Sequence, residues 1–185
     1  MSRTLRTVLA LGVCVGALSG GAATASADEA LPRAAAAPSP AVQLQVERSG
    51  QCLTILDASL RNGANAVQSK CDDTLPNQLF HLEPTGSASF EVRIEHSGKC
   101  LEVEDSGTQA GANVQQWWCV EGAPQQRWRL VMVDFVNDLY ELRPTHVAER
   151  CLDIVGASLK DGANAQSWNC NQSSAQRWRI LPVKS

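Results

Sequence analysis

From residue 42 onward the chain alternates apolar and polar positions in short runs. QLQVER (43–48), FEVRIEH (90–96) and LYELRP (139–144) each place every second residue on one face, the period of a half-buried strand. CLTIL (52–56), CLEVE (100–104) and CLDIV (151–155) follow, and each leads into a turn rich in Gly, Asn, Asp and Ser. Then come AVQSKC (66–71), VQQWWC (114–119) and AQSWNC (165–170), and finally LFHLE (79–83), RWRLVMV (127–133) and RWRILPV (177–183). No stretch of useful length carries a helical period. The pattern predicts twelve short strands in three sets of four.

The three sets are copies of one unit. CLTILDASLRNGANAVQSKC, CLEVEDSGTQAGANVQQWWC and CLDIVGASLKDGANAQSWNC align without a gap, with Gly-Ala-Asn at the same offset, starting at Gly63, Gly111 and Gly162. The repeats span about 41–88, 89–137 and 138–185. A four-stranded unit of this size cannot bury its own apolar face, so three of them close around a common axis. This is an all-β architecture with pseudo-threefold symmetry, a β-trefoil.

Composition adds a compartment. MSRTLR carries Arg3 and Arg6, TVLALGVCVGALSGG is apolar but short for a membrane span, and Ala25-Ser26-Ala27 is a small-x-small cleavage site. Residues 1–27 are expected to be a signal peptide cleaved before Asp28, leaving a secreted protein. The bulk of Val13 argues against a lipidated Cys14. DEALPRAAAAPSP, residues 28–40, is too poor in large apolar residues to pack and reads as a leader before the domain at 41–185. Cleavage takes the formal charge from −3 to −5 and the cysteines from seven to six. Six cysteines allow fifteen pairings. Cys52 and Cys71, Cys100 and Cys119, and Cys151 and Cys170 share one separation, which favours a bridge within each repeat. Such a bridge stabilises by about 3 kcal/mol through chain entropy. With no CxxC and no His at finger spacing, the cysteines are not expected to hold a metal, and no cofactor is implied.

The repeats resemble the ricin B-type lectin family. The Q-x-W signature appears as Gln126-Arg127-Trp128 and Gln176-Arg177-Trp178, and in weakened form as Gln78-Leu79-Phe80. The resemblance covers the whole mature domain. It implies a sugar site built from an Asp two residues after the first cysteine, a Gln four before the second and an aromatic two before it. An Asn just before Q-x-W completes the set, and the Q-x-W Gln supports the Asp. The chemistry suits a sugar, because carboxylate and amide groups grip neighbouring hydroxyls while a ring covers the C–H face.

On this mapping the third copy is nearly complete, with Asp153, Gln166, Trp168 and Gln176, and Asn171 as a further polar contact. Ala175 replaces the Asn, a loss of about 0.5–1.5 kcal/mol if one hydrogen bond goes with it. The second copy keeps Gln115, Trp117 and Gln126, with Glu102 for Asp and Gln125 for Asn. The longer Glu102 must fold back or push a ligand outward. Strand alternation sets Trp118 opposite Trp117, so one is expected in the core and the other on display. In the first copy Thr54, Val67 and Ser69 replace the site, so Asn77 and Gln78 have no site residues to cooperate with and this copy is expected to be kept for the fold. Trp128, Trp178 and Phe80 are expected in the core.

Other classes fit less well. No GxSxG, HExxH or phosphate-loop motif occurs, the three histidines have no partner spacing, and Glu102 and Glu104 read as one exposed face, so no enzyme is expected. The acidic balance, without a basic cluster, disfavours nucleic acid. The expected partner is carbohydrate, of galactose or xylose type, bound by a monomer. The alternative is a protein-binding trefoil such as a protease inhibitor with relic pockets, although residues 131–150, the longest irregular stretch, offer no evident bait.

Overall fold

The computed structural model describes residues 39–183; the expected signal peptide and residues 28–38 of the leader lie outside this range. Twelve strands follow one another among the described residues. Six form a barrel: β1 (Val42–Val46), β4 (Phe80–Gly86), β5 (Ser89–Ile94), β8 (Arg127–Asp134), β9 (Leu139–Pro144) and β12 (Trp178–Pro182). Pairing runs β1–β4–β5–β8–β9–β12 and returns to β1, all antiparallel, so the barrel has no free edge.

The other six make three hairpins: β2 (Cys52–Ile55) with β3 (Ala64–Ser69), β6 (Cys100–Val103) with β7 (Ala112–Trp117), and β10 (Arg150–Ile154) with β11 (Ala165–Asn169). Strands β3 and β7 pair through Ala64–Gln116, β7 and β11 through Ser167–Ala112, and a Val67–Asn164 bridge joins β3 to the end of the third hairpin. Three copies thus meet around one axis, as the repeat predicts. Each copy carries its own disulfide, Cys52–Cys71, Cys100–Cys119 and Cys151–Cys170.

The core holds the inward residues of both layers, among them Leu44, Leu53, Ile94, Leu101, Leu142 and Leu152. Phe80, Trp128 and Trp178 are fully buried within it. The indole N–H groups of Trp128 and Trp178 donate to the carbonyls of Leu101 and Leu152 at 3.0 and 3.1 Å, so each ring ties the end of its repeat to the start of its first hairpin strand. Phe80 has no N–H, which lets the first copy substitute it without orphaning a buried donor.

The Gly-Ala-Asn motif holds the copies to one another. Gly63, Gly111 and Gly162 have positive φ, and their N–H groups donate to Gln116, Ser167 and Gln68 carbonyls in a neighbouring copy at 2.8–2.9 Å. The motif's asparagines meet near the axis: Asn113 donates to Asn65 and Asn164 to Asn113, at 2.9 and 2.8 Å.

Glutamine side chains reinforce two of the seams. Gln68 donates to the carbonyls of Ser158 and Lys160, and Gln116 to those of Ser59 and Arg61. Ser49 and Ser97 lock these amides by donating to their oxygens. The third copy has Ser167 in the equivalent place, too short to cross, and its buried hydroxyl has no partner. There His146 meets the Gly107 carbonyl and Arg150 donates to that of Thr108. His96 does the same at Ser59, and His81 of the first copy meets Glu95 of the second, so all three histidines bridge copies.

Candidate functional site

In the third copy, Cys151–Ile154 on β10 and Ala165–Asn169 on β11 lie side by side, with Asp153 directly opposite Gln166. The Gln166 amide donates to one Asp153 oxygen at 2.7 Å, and the Gln176 amide to the other at 3.0 Å. Gln176 also donates to the Asn169 carbonyl and accepts the Asn171 N–H, so it is pinned at both ends. Burial raises the Asp153 pKa above its ordinary 3.8, against the opposing pull of the two amides. Trp168 stands 39% exposed beside it. Together with Val155, Gly156, Ala157, Asn171, Ser173 and Ala175, these residues line a cleft of about 440 Å³. Asn171 lines the cleft, but its side-chain oxygen accepts the Ser173 N–H within a turn.

The second copy reproduces the constellation with longer arms. Glu102 accepts from Gln115 at 3.0 Å and from Gln126 at 2.9 Å, so the extra methylene is taken up without losing either contact. Gln126 reaches back to the Trp118 carbonyl and the Val120 N–H. Trp117 and Gln125 line the cleft with Asp105 and Val120, but its volume is only about 190 Å³. Two expectations change here. Trp117 and Trp118 are 40% and 62% exposed, so neither enters the core; Trp118 instead lies over the Lys99 ammonium, 3.7 Å from the ring centroid. Glu102 and Glu104 do not share an exposed face, because β6 ends at Val103: Glu102 is buried in the cleft and Glu104 begins the following turn.

The first copy lacks the carboxylate, the amide and the ring, and the structure accounts for what remains. Asn77 donates to the Ile55 carbonyl, while Gln78 donates to the Lys70 carbonyl and accepts from Gln43 and from the Asp72 N–H. Both residues are engaged by partners that serve the fold, in keeping with a copy expected to be kept for the fold and not for binding. Removing the large side chains leaves the widest cleft of the three, about 830 Å³, floored by Thr54, Val67 and Ser69.

Each pocket also borders a neighbouring copy. A Cβ on Gly63 would lie 3.9 Å from the Trp117 ring, and one on Gly111 3.4 Å from the Trp168 ring. Where Ser69 replaces the tryptophan, the corresponding Gly162 has no such neighbour. The sequence marked these glycines as part of the repeat and the rim segments as turns, but gave neither a place at the site. The rim turns run Leu56–Ala58, Glu104–Ser106 and Val155–Ala157, with two successive residues at positive φ in each. Asp57, Asp105 and Gly156 occupy their apices.

Comparison with known proteins agrees with this architecture. The ricin-type beta-trefoil lectin domain-like family matches residues 33–117, 76–168 and 124–185, three overlapping spans that cover the domain. The chain belongs to that family. A designed threefold-symmetric protein, ThreeFoil, is 34% identical with a TM-score of 0.72, over 77% of this chain and 99% of the other. The exo-beta-1,3-galactanase 1,3Gal43A from Clostridium thermocellum is 26% identical with a TM-score of 0.72, over 78% of this chain but only 30% of the enzyme. The Rhizoctonia solani agglutinin shares the fold at 16% identity and a TM-score of 0.69, over 80% of this chain and 98% of the other. No curated protein sequence matches the chain. No helix among the described residues is long and apolar enough to cross a membrane.

Proposed function

We propose that the chain is a secreted carbohydrate-binding protein that takes galactose- or xylose-type sugars in the third-copy pocket, with the second as a supporting site. One observation carries this reading. Both oxygens of Asp153 are held by amides that are themselves fixed, beside a half-exposed tryptophan at the edge of an open cleft. A carboxylate pre-oriented in this way keeps lone pairs free for two neighbouring hydroxyls and loses little entropy on binding. Family membership and lectin neighbours support carbohydrate binding in general. The third and second pockets would act together on a polymer, each shallow and weak, with affinity arising from joint engagement.

Export rests on the signal peptide expected at residues 1–27 of the sequence. The galactanase's chemistry belongs to a protein more than three times the length matched here, and the third pocket holds one carboxylate where glycoside hydrolysis uses a facing pair. A protein-directed role has one observation behind it: Phe135 and Val136 stand 80% and 88% exposed at the turn between β8 and β9. The test is binding to a panel of glycans and polysaccharides, with Asp153→Ala alongside. Binding that the variant loses supports the reading. No binding by correctly folded, oxidised protein overturns it and turns attention to proteases as partners.

A further inference from the structure

The second and third pockets share one scaffold and differ at one rim position in a way that bears on which saccharides they accept. The apex residue of each rim turn has nearly the same backbone conformation: φ 51°, ψ 27° at Asp105 and φ 63°, ψ 19° at Gly156. In the second copy the Asp105 side chain lines the cleft, adding a carboxylate to Glu102 at its floor. In the third copy Gly156 lines it, and a Cβ built there meets no atom within 4 Å. The glycine is therefore not required by packing, and its positive φ is tolerated as aspartate twice elsewhere, at Asp57 and Asp105. Its effect is to leave that side of the third pocket open and uncharged. The third cleft, about 440 Å³, is the larger of the two; the second, about 190 Å³, also carries Gln125 where the third has Ala175.

We infer that the rim-turn apex is the specificity-determining position. Asp105 makes the second pocket reject anionic saccharides and take small neutral ones, whereas Gly156 lets the third pocket accept uronic-acid residues as well as neutral sugars. The inference rests on the reading of both clefts as sugar sites. A second carboxylate at the rim repels a ligand carboxylate held in the same cleft, and the repulsion weakens with added salt. The third pocket has one carboxylate, and both its oxygens are already engaged by amides.

The test uses methyl β-D-galactoside and methyl β-D-galacturonoside, which differ only at C6, with methyl β-D-xyloside as the probe lacking C6. Each is titrated by NMR against Asp153→Ala, which isolates the second pocket, and Glu102→Ala, which isolates the third. The isolated second pocket should prefer the galactoside by about tenfold at low ionic strength. The isolated third pocket should bind the two within about threefold of each other, in keeping with a neutral rim. Adding Gly156→Asp to the third pocket should create the preference, and adding Asp105→Gly to the second should abolish it. Near-ultraviolet circular dichroism checks that each variant is folded. If the neutral sugars bind but the exchanges leave both preferences unchanged, the inference is overturned while the sugar sites stand. If folded wild type binds neither the galactoside nor the xyloside, the sugar-site reading falls and takes the inference with it.

Discussion

The third-copy pocket and the first-copy cleft occupy equivalent places on one threefold scaffold, yet their polar groups are spent on opposite ends. In the third copy the amide of Gln176 points at a carboxylate that faces the cleft. In the first copy the equivalent Gln78 keeps the same two backbone contacts, to Lys70 and Asp72, but meets Gln43 where Gln176 meets the carboxylate. The barrel, the disulfide and the buried ring survive in both. The difference shows that the scaffold does not need the binding residues: Thr54, Val67 and Ser69 fold as well as Asp, Gln and Trp do, and they leave a larger hollow with less in it.

Breaking the third pocket should give the largest effect. Asp153→Ala leaves the Gln166 and Gln176 amides facing no acceptor and removes the grip on ligand hydroxyls, so binding to that pocket should fall by about 3 kcal/mol, roughly a hundredfold. Calorimetry of the variant in a Glu102→Ala background, where the second pocket is silent, measures it. The converse change sharpens the comparison. Thr54→Asp, Val67→Gln and Ser69→Trp together should install a pocket in the first copy that binds within about tenfold of the third, since Gln78 donates one N–H to the Lys70 carbonyl and meets Gln43 only through its oxygen, which leaves an N–H to support the new carboxylate.

The seams extend the comparison to stability. Gln116→Ala removes two hydrogen bonds to the first copy and strands the Ser97 hydroxyl, and should lower unfolding free energy by about 2 kcal/mol. Ser167→Ala, at the matching position where nothing is bonded, should change it by less than about 0.5 kcal/mol. Denaturant titration of both variants, with disulfides intact, distinguishes them.

Much of this was legible in the residues. Gap-free repeats, strand alternation and equal cysteine spacing lead to the trefoil and its three bridges, because those signals are local and periodic. The resemblance implied that Gln176 supports Asp153; that Gln166 also donates to Asp153 became visible only in the structure, where β10 and β11 set the two opposite each other. The two tryptophans at 117 and 118 defeated strand alternation because β7 ends at Trp117, so Trp118 no longer obeys the two-residue period. Gln116 was hidden for a different reason. It differs from its neighbour Gln115 only in facing another copy, and that is decided by packing around the axis, which no single repeat records. The rim turns were equally silent, since positive φ at Asp105 leaves no compositional mark of the kind a glycine leaves.

Acidity separates the two copies by a smaller effect. Burial raises the pKa of Asp153, so its ionised form is lost at a higher pH than for an ordinary aspartate, and ligand binding in the third pocket should weaken from a pH above 3.8 downward. For stability the sign is opposite: the contribution of a group with a raised folded pKa is present below 3.8 and lost as pH rises through the folded value. Asp72 beside the first cleft is shifted the other way, lowered by hydrogen bonds from the Thr74 side chain and backbone, so what it contributes is present above 3.8 and lost on acidification. Side-chain carboxyl titration by NMR should find Asp153 above Asp72.

The most direct measurement is a sugar titration followed through side-chain resonances of the intact, oxidised protein. Methyl β-D-galactoside and methyl β-D-xyloside serve as ligands, and the Trp168 indole and the Gln166, Gln176 and Gln78 amides are the reporters. The account predicts that one of these sugars moves Trp168, Gln166 and Gln176 together along one saturation curve while Gln78 stays in place. Movement of Gln78 with the third-copy amides unmoved would contradict it.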